Sequence, residues 1–247
     1  MHQLTTTFVG RLRDRDEAAW LELWQVFGPV LRGTLMRWGN GRVGQETVRD
    51  LSQETLASLS KSIDTFDSTR GVRFSTWLLA IARHALSDEM DRRMALKRNK
   101  GKRPASLQED WAGDLARTAD REYERRVFEA KVLTAIRRAE ADTDFVSFEV
   151  YRMRVLDGLT GKAVAEQMGV SEPTISRHLA TARTQLRRRL AEVVATWSFT
   201  QQEIDEANDA GFGNDDRLFD EAIAEIWHAV ARRNDGLLEP PCTEEAP

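Results

Sequence analysis

The stretch from Thr160 to Leu190 constrains the fold of this chain most, because it predicts two helices that meet across a very short turn. Gly169 separates the two helical patterns, at a place where a tight turn needs a positive φ that glycine adopts without steric cost. Thr160 and Ser171 are suitable N-caps for the two helices, and Pro173 is tolerated in a first helical turn. The stretch therefore predicts a helix-turn-helix.

Apolar residues in the same stretch are spaced to form one small core between the two helices. Val170 follows the glycine and is predicted to fill the space between them. The residues predicted to share this core are Val164, Ala165, Met168, Ile175 and Leu179.

The second of these helices has the composition of a helix that contacts DNA. Polar side chains near its N-terminus are placed to meet base edges, and later arginines are placed to neutralise phosphates. The residues predicted to bind DNA are Ser171, Thr174, Ser176, Arg177, His178, Arg183, Arg187 and Arg188. A solvated basic face of an ordinary helical bundle remains the alternative, but turn, caps and charge together favour DNA binding.

The charge of the chain is unevenly distributed. Residues 1–195 carry 33 Lys and Arg against 27 Asp and Glu, whereas residues 196–247 carry 3 against 13. A basic body suits a nucleic-acid partner, and the acidic tail suits a different role. Two solvated surfaces of opposite sign would give the same counts.

Helical spacing of apolar residues continues through the rest of the chain, and no stretch alternates as a strand would. The first helical pattern is predicted to break at Gly28 and Pro29, and Ser75 is the predicted N-cap of a later helix. The predicted helices cover about 30–38, 46–62, 75–94, 120–157 and 215–233.

The fold class predicted from these patterns is all-α, with two helical domains joined by a flexible linker and followed by a helical acidic extension. A change to basic and polar residues around Gly101 and Pro104 indicates the linker. The predicted domains are residues 5–95, a basic linker over 96–119, the helix-turn-helix domain over 120–195 and the extension over 196–247.

Several classes of function are disfavoured by what the sequence contains. The single cysteine, Cys242, and four scattered histidines form no recognisable metal-ligand or catalytic pattern, so neither a metal, a cofactor nor an enzymatic activity is expected. The chain has no apolar run of about 20 residues and no leader-like N-terminus, which predicts a cytoplasmic protein without a membrane partner.

The N-terminal half carries further motifs, beginning with the segment from Asp50 to Leu56, DLSQETL. Phe66-Asp67 follows, then the segment from Arg70 to Leu78, RGVRFSTWL, and that from Ile81 to Asp88, IARHALSD. Together with Thr160–Leu190, these segments resemble, in order and spacing, the sigma-70 family of the extracytoplasmic-function type. The resemblance covers most of residues 5–195. His84 stands where the family usually has asparagine, and Ala163 where it commonly has an acidic residue.

The resemblance implies a protein that binds core RNA polymerase, at the β′ clamp and the β flap, and directs promoter recognition and −10 melting. Regulation by an anti-sigma factor is also compatible with it. By resemblance, the clamp would be bound by Asp50, Leu51, Gln53 and Glu54. The −10 element would be bound by Phe66, Arg70, Arg73, His84, Asp88, Arg92 and Arg93. Phe74, Trp77 and Leu78 have a spacing that favours the core instead.

Two questions stay open at this level. A one-component regulator that binds an operator without polymerase would also contain a helix-turn-helix, with the N-terminal helices as a sensor or dimerisation module.

The extension carries an apolar stripe, which must be buried against the body or a partner. It either completes the core of the second domain or masks the basic DNA-binding surface. The stripe comprises Leu218, Phe219, Ala222, Ile223, Ile226, Trp227 and Val230.

Overall fold

The computed structural model describes residues 2–67, 73–99, 114–197, 205 and 213–233, and every regular element within these ranges is helical. The all-α class is therefore confirmed. Contacts divide the chain into two compact units. The first unit is Gln3–Phe128, and the second is Glu129–Pro247 together with Met1 and His2. No helix in the described part of the chain is long and apolar enough to cross a membrane.

The described part of the first unit contains four helices and the beginning of a fifth. A 3₁₀ turn, Ile63–Thr65, follows the third helix. The helices are α1 His2–Arg13, α2 Glu17–Gly39, α3 Gln45–Ser62, α4 Phe74–Asn99 and α5 Asp114–Asp142, of which α5 belongs to this unit as far as Phe128.

The second unit begins with the remainder of α5 and contains the predicted helix-turn-helix. Its helices are α6 Phe145–Tyr151, which continues as a π-helical turn over Arg152–Leu156, then α7 Gly161–Met168, α8 Glu172–Trp197 and α9 Asp216–Arg233. The unit boundary after Phe128 lies later than the domain start predicted at residue 120. Most of the predicted linker, residues 100–113, lies outside the described residues.

The helix break predicted at Gly28 and Pro29 is wrong, because α2 runs through both residues from Glu17 to Gly39. Proline removes one backbone donor from a helix, and the burial of neighbouring apolar side chains offsets that loss. The chain breaks earlier instead, at Arg15, whose φ is 61°. Asp16 then caps α2 by accepting hydrogen bonds from the next turn of backbone.

The core of the first unit lies where α2, α3 and α4 pack together. Its side chains are apolar, and the buried hydroxyls of Ser52 and Thr55 donate to carbonyl groups of their own helix. The core of the unit is therefore stabilised by close packing of apolar side chains. One cluster of this core comprises Leu31, Leu35, Val43, Val48, Leu51, Ala82, Ala85 and Leu86.

Candidate nucleic-acid interface

The turn of the helix-turn-helix has the geometry that its sequence predicts. Gly169 ends α7 with a φ of 66°, and Thr160 caps α7 by accepting a hydrogen bond from the Ala163 amide at 3.2 Å. Helix α8 begins directly after Ser171, whose carbonyl accepts from the amides of Thr174 and Ile175. The Thr160 cap and the left-handed glycine are confirmed, and Ser171 precedes α8 with its hydroxyl 3.0 Å from that of Thr174.

The small core between α7 and α8 is also confirmed, with one exception. Val164, Ala165 and Ile175 are buried, and Met168 and Leu179 pack against them. Val170 is 41% exposed, so the prediction that it fills the space between the helices is wrong. The backbone of the turn is closed instead by the Val170 amide, which donates to the carbonyl of Ala165.

One face of α8 is open to solvent along several turns. Ser176 and Arg177 lie on it near the N-terminus, and Thr181, Thr184 and Arg188 continue it at helical spacing. The Arg188 side chain is 55% exposed, and its Nε atom lies 3.9 Å from the carboxylate of Glu192, which is too far for a hydrogen bond. This face can therefore meet a long anionic surface, with polar groups at the end that a groove would admit first.

His178 does not lie on this open face. Its Nδ1 atom is 2.8 Å from the hydroxyl of Ser147, a buried residue at the beginning of α6. The prediction that His178 faces base edges is corrected, because its ring contacts α6 and helps to hold α8 against that helix.

Arg183 and Arg187 are held by the acidic N-terminal end of α9. Arg183 makes two hydrogen bonds to Asp220, at 2.6 and 3.1 Å, and one to Asp216 at 2.7 Å. Arg187 donates to Asp216 at 2.6 Å and lies over the Phe219 ring, 4.6 Å from its centroid. Carboxylates hold both arginines in this structure, so their predicted contacts with phosphates stay predictions.

Helix α9 is also part of the core of the second unit. Phe219, Ile223 and Val230 are buried, whereas Leu218 is exposed. Arg233 at its C-terminal end pairs with Glu129 of α5. The predicted helix over 215–233 is confirmed almost to the residue. Ile204, Phe212, Cys242 and the acidic tail end lie outside the described residues.

In the first unit, α4 presents a second polar face. His84, Asp88 and Arg92 are exposed on it, one turn apart. Arg93 differs, because its guanidinium donates to Glu89, to the Arg42 carbonyl and to the Thr47 hydroxyl. Arg93 therefore ties α4 to the beginning of α3, and its predicted phosphate contact is corrected to a structural role.

Phe66 belongs to the core. It is 5% exposed, and its ring packs against Phe74 and Trp77 at centroid distances of 5.3 and 5.0 Å. Arg13 donates to its carbonyl at 2.7 Å. The prediction that Phe66 captures a base is corrected, since its ring is covered; the core positions predicted for Phe74 and Leu78 are confirmed. Arg70 lies outside the described residues.

A carboxylate from α5 binds side chains at the beginning of α4. Glu124 accepts hydrogen bonds from Ser75 at 2.6 Å and Thr76 at 3.2 Å, and it lies 3.6 Å from Arg73. Ser75 is buried and lies inside the helix that begins at Phe74, so its predicted role as N-cap is wrong. Arg73, by contrast, lies directly before α4 as expected.

The predicted polymerase contacts on α3 fall into an exposed set and a buried one. Asp50, Gln53 and Glu54 are exposed and share one side of the helix, where Asp50 and Glu54 are i,i+4 neighbours. Leu51 is only 2% exposed and belongs to the core cluster. Leu51 is therefore corrected from a surface contact to a core residue that orients the acidic face.

Two family models match the chain, one within each of its two units. The model described as Sigma-70 region 2 matches residues 23–95, and the one described as Sigma-70, region 4 matches residues 147–186. The ECF RNA polymerase sigma factor RpoE of Cereibacter sphaeroides is similar to this chain, with 28% identity over 182 residues. That alignment covers 73% of this chain and 91% of the relative.

The chain belongs to the sigma-70 family. It is an RNA polymerase sigma factor of the extracytoplasmic-function type. The region 2 match falls within the first unit and the region 4 match contains the helix-turn-helix. A sigma region 2 ahead of the helix-turn-helix disfavours the one-component regulator, whose N-terminal helices would form a sensor or a dimer interface.

Among the described residues, three acidic residues of the sigma factor contact predicted DNA-binding residues from a different helix, and sequence reasoning missed them. Asp216 and Asp220 lie one turn apart at the beginning of an acidic helix, a pattern that could have suggested a pair of arginine ligands. Glu124 carries no comparable signal, since its partners lie far away in sequence. All three lie outside the residues matched by the family models.

Proposed function

We propose that this sigma factor binds core RNA polymerase, directs it to promoters with a −10 and a −35 element and supports −10 melting, without catalysing a reaction itself. The observation that carries the proposal is the open face of α8. A helix-turn-helix with a well-formed turn exposes Ser176, Arg177 and Arg188 along one side of this helix.

For the −35 element, Arg177 and Ser176 are the residues that we assign to base edges. Both are exposed in the second turn of α8, the part of a recognition helix that enters the major groove. Ser171 and Thr174, whose hydroxyls lie 3.0 Å apart, are assigned to the DNA backbone next to the helix N-terminus. Arg188 is assigned to a phosphate, because an exposed arginine far from the N-terminus of the recognition helix contributes charge rather than contacts with bases.

For the −10 element, the exposed face of α4 is the proposed reading surface. His84 and Asp88 offer hydrogen-bonding groups one turn apart, and Arg92, whose side chain is 64% exposed but pairs with Glu89 at 2.7 Å, is assigned to a phosphate in exchange for that carboxylate. Arg70 and Arg73 are proposed to hold the displaced strand beside this face, as arginines do in single-strand binding sites. For Arg73, this requires release from Glu124.

For the polymerase, the acidic face of α3 is the proposed contact with the β′ clamp. Asp50, Gln53 and Glu54 lie together and exposed, which allows ion pairs and hydrogen bonds with basic side chains of another chain. A contact of the second unit with the β flap and control by an anti-sigma factor are further partners that the family implies.

The proposal is tested by mixing the purified full-length protein with sigma-free core polymerase. Co-elution of the two, and transcript starts on genomic DNA above the core-only background, are the expected results. The double variant Asp50→Ala/Glu54→Ala is expected to elute separately from core, whereas Glu17→Ala, which removes an exposed acid of α2, is the control. Absence of both co-elution and specific starts for the wild-type protein would overturn the proposal.

A further inference from the structure

The acidic helix α9 and the basic helix α8 meet through four charged residues. Asp220 binds Arg183 through both carboxylate oxygens, and Asp216 bridges Arg183 and Arg187 with one oxygen each. Paired oxygens from carboxylates or phosphates are the ligands that the planar guanidinium group prefers. The contact therefore has the chemistry of an arginine bound to a phosphate backbone.

The two aspartates differ in how firmly they are held. Asp220 is 18% exposed and also accepts a hydrogen bond from the Tyr151 hydroxyl at 3.3 Å, while its partner Arg183 is 12% exposed. Asp216 is 57% exposed and lies in the first turn of α9. The Asp220 contact is enclosed by protein, whereas the Asp216 contact lies at the surface, where another anion can reach it.

Arg187 is the less well satisfied of the two arginines. Its Nη1 atom donates to Asp216, but its Nε and Nη2 atoms are buried with no hydrogen-bond partner among the residues that the structure describes. A buried donor without an acceptor is unfavourable. The next residue, Arg188, points to solvent, so the weakly held Arg187 borders directly on the open basic face of α8.

Apolar burial keeps α9 in place independently of these ion pairs. Phe219 and Ile223 are fully buried, so the helix stays on the second unit when a single surface contact is lost. The charge of Asp216 can thus change without removal of α9.

We propose that α9 is an internal competitor for DNA phosphates, in which Asp216 holds Arg187 until a phosphate replaces it, while Asp220 retains Arg183. The acidic extension then lowers the affinity of the helix-turn-helix unit for promoter DNA. This inference rests on the proposed DNA-binding role of α8, and it assigns the extension a regulatory function at that same surface.

The test compares Asp216→Asn with Glu221→Gln in the full-length protein bound to core polymerase. Both variants remove one negative charge from an exposed position of α9, but Glu221 pairs with Arg217 of its own helix, whereas Asp216 pairs with arginines of α8. Binding to a promoter fragment and to an unrelated duplex is measured over a range of salt concentrations. We expect Asp216→Asn to bind both duplexes more tightly than Glu221→Gln at every salt concentration, because Arg187 then meets a phosphate without first losing a carboxylate.

Two further variants make the result specific to Arg187. Asp216→Glu keeps the charge and should stay at the wild-type affinity, and adding Arg187→Ala to Asp216→Asn should abolish the increase in affinity. Thermal unfolding is followed for each variant, to separate competition from loss of folding.

The inference is overturned if Asp216→Asn matches Glu221→Gln, if its higher affinity survives Arg187→Ala, or if it binds more weakly at an unchanged melting temperature. Wild-type holoenzyme that shows no preference for the promoter over the unrelated duplex would overturn the proposed function, and the inference with it. A promoter preference combined with equal behaviour of the two variants overturns the inference alone.

Discussion

Glu124 on α5 places one carboxylate oxygen 2.6 Å from the hydroxyl of Ser75 and the other 3.6 Å from the guanidinium of Arg73. The contact joins the beginning of α4 to α5 inside the first unit, at the segment proposed to hold the displaced promoter strand. Arg73 must therefore exchange this carboxylate for a phosphate if it is to bind DNA. Through Glu124, α5 stabilises the proposed DNA-binding surface in the form it has without DNA.

Replacing Glu124 with alanine should destabilise the first unit. The buried hydroxyl of Ser75 loses its acceptor, and a buried polar group left in that state costs about 1–3 kcal/mol. Denaturant unfolding measures the loss. Glu54→Ala, at an exposed position of α3, is the control and should change the free energy of unfolding by less than about 0.5 kcal/mol. Equal effects of the two substitutions would contradict the contact.

Acid should weaken the first unit through Glu122. Burial alone would raise the pKa of this carboxyl, but hydrogen bonds from Arg125 and Arg126 outweigh it and lower the pKa from 4.5 to about 2. A carboxyl whose pKa is lower in the folded state contributes stability above the unfolded pKa and loses it as the pH falls towards the folded one. The advantage of wild type over Glu122→Gln in free energy of unfolding should therefore shrink between about pH 4.5 and pH 2. A constant difference over that interval would refute the assignment.

Arg177 and Arg188 should respond differently to truncation, because one is assigned to a base and the other to a phosphate. Arg177→Ala should cost about 1–3 kcal/mol of promoter binding and relax the preference at one −35 position. Arg188→Ala should weaken binding to all sequences and lower the salt slope by about 1. Selection from a randomised −35 library, with each variant as the control for the other, measures both effects. Retention of the wild-type preference by Arg177→Ala would contradict the assignment.

Phe219 should be needed for the stability of the second unit. Its side chain is fully buried, and truncation of a buried phenylalanine to alanine costs about 3–5 kcal/mol. Leu218→Ala removes the neighbouring apolar side chain, which is 45% exposed, and should have little effect on the melting temperature. Truncation after Val194 also removes the buried Trp197 and is expected to abolish cooperative unfolding of this unit. A truncated protein with an unchanged melting temperature would contradict this core role of α9.

The helix-turn-helix could be predicted from sequence because each of its signals is local. Gly169, Thr160 and Ser171 act on the backbone within a few residues, and their predicted positions agree with the structure. The same local reasoning failed at Pro29, where the tendency of proline to end a helix was overridden by burial on both sides of it. It failed at Ser75 too, since a plausible cap residue became a buried partner of Glu124.

The site residues were harder to predict, because a side chain's role depends on what lies opposite it in space. Phe66 and Leu51 have the residue types of contact residues, but packing against other helices buries both. The two roles left open for the extension are not exclusive in the structure. Its apolar face completes a core, and its aspartates bind arginines that had been assigned to DNA.

The π-helical turn over Arg152–Leu156 has a consequence for the transplantation of this DNA-binding module into another sigma factor. Helix α9 packs against that turn, whereas the match to the region 4 model ends at residue 186. A chimera whose junction follows the end of that match would carry the N-terminal part of the recognition helix but expose the surface that α9 covers. The exchangeable module extends at least to Arg233, and a donor fragment cut there keeps both its core and its acidic ligands.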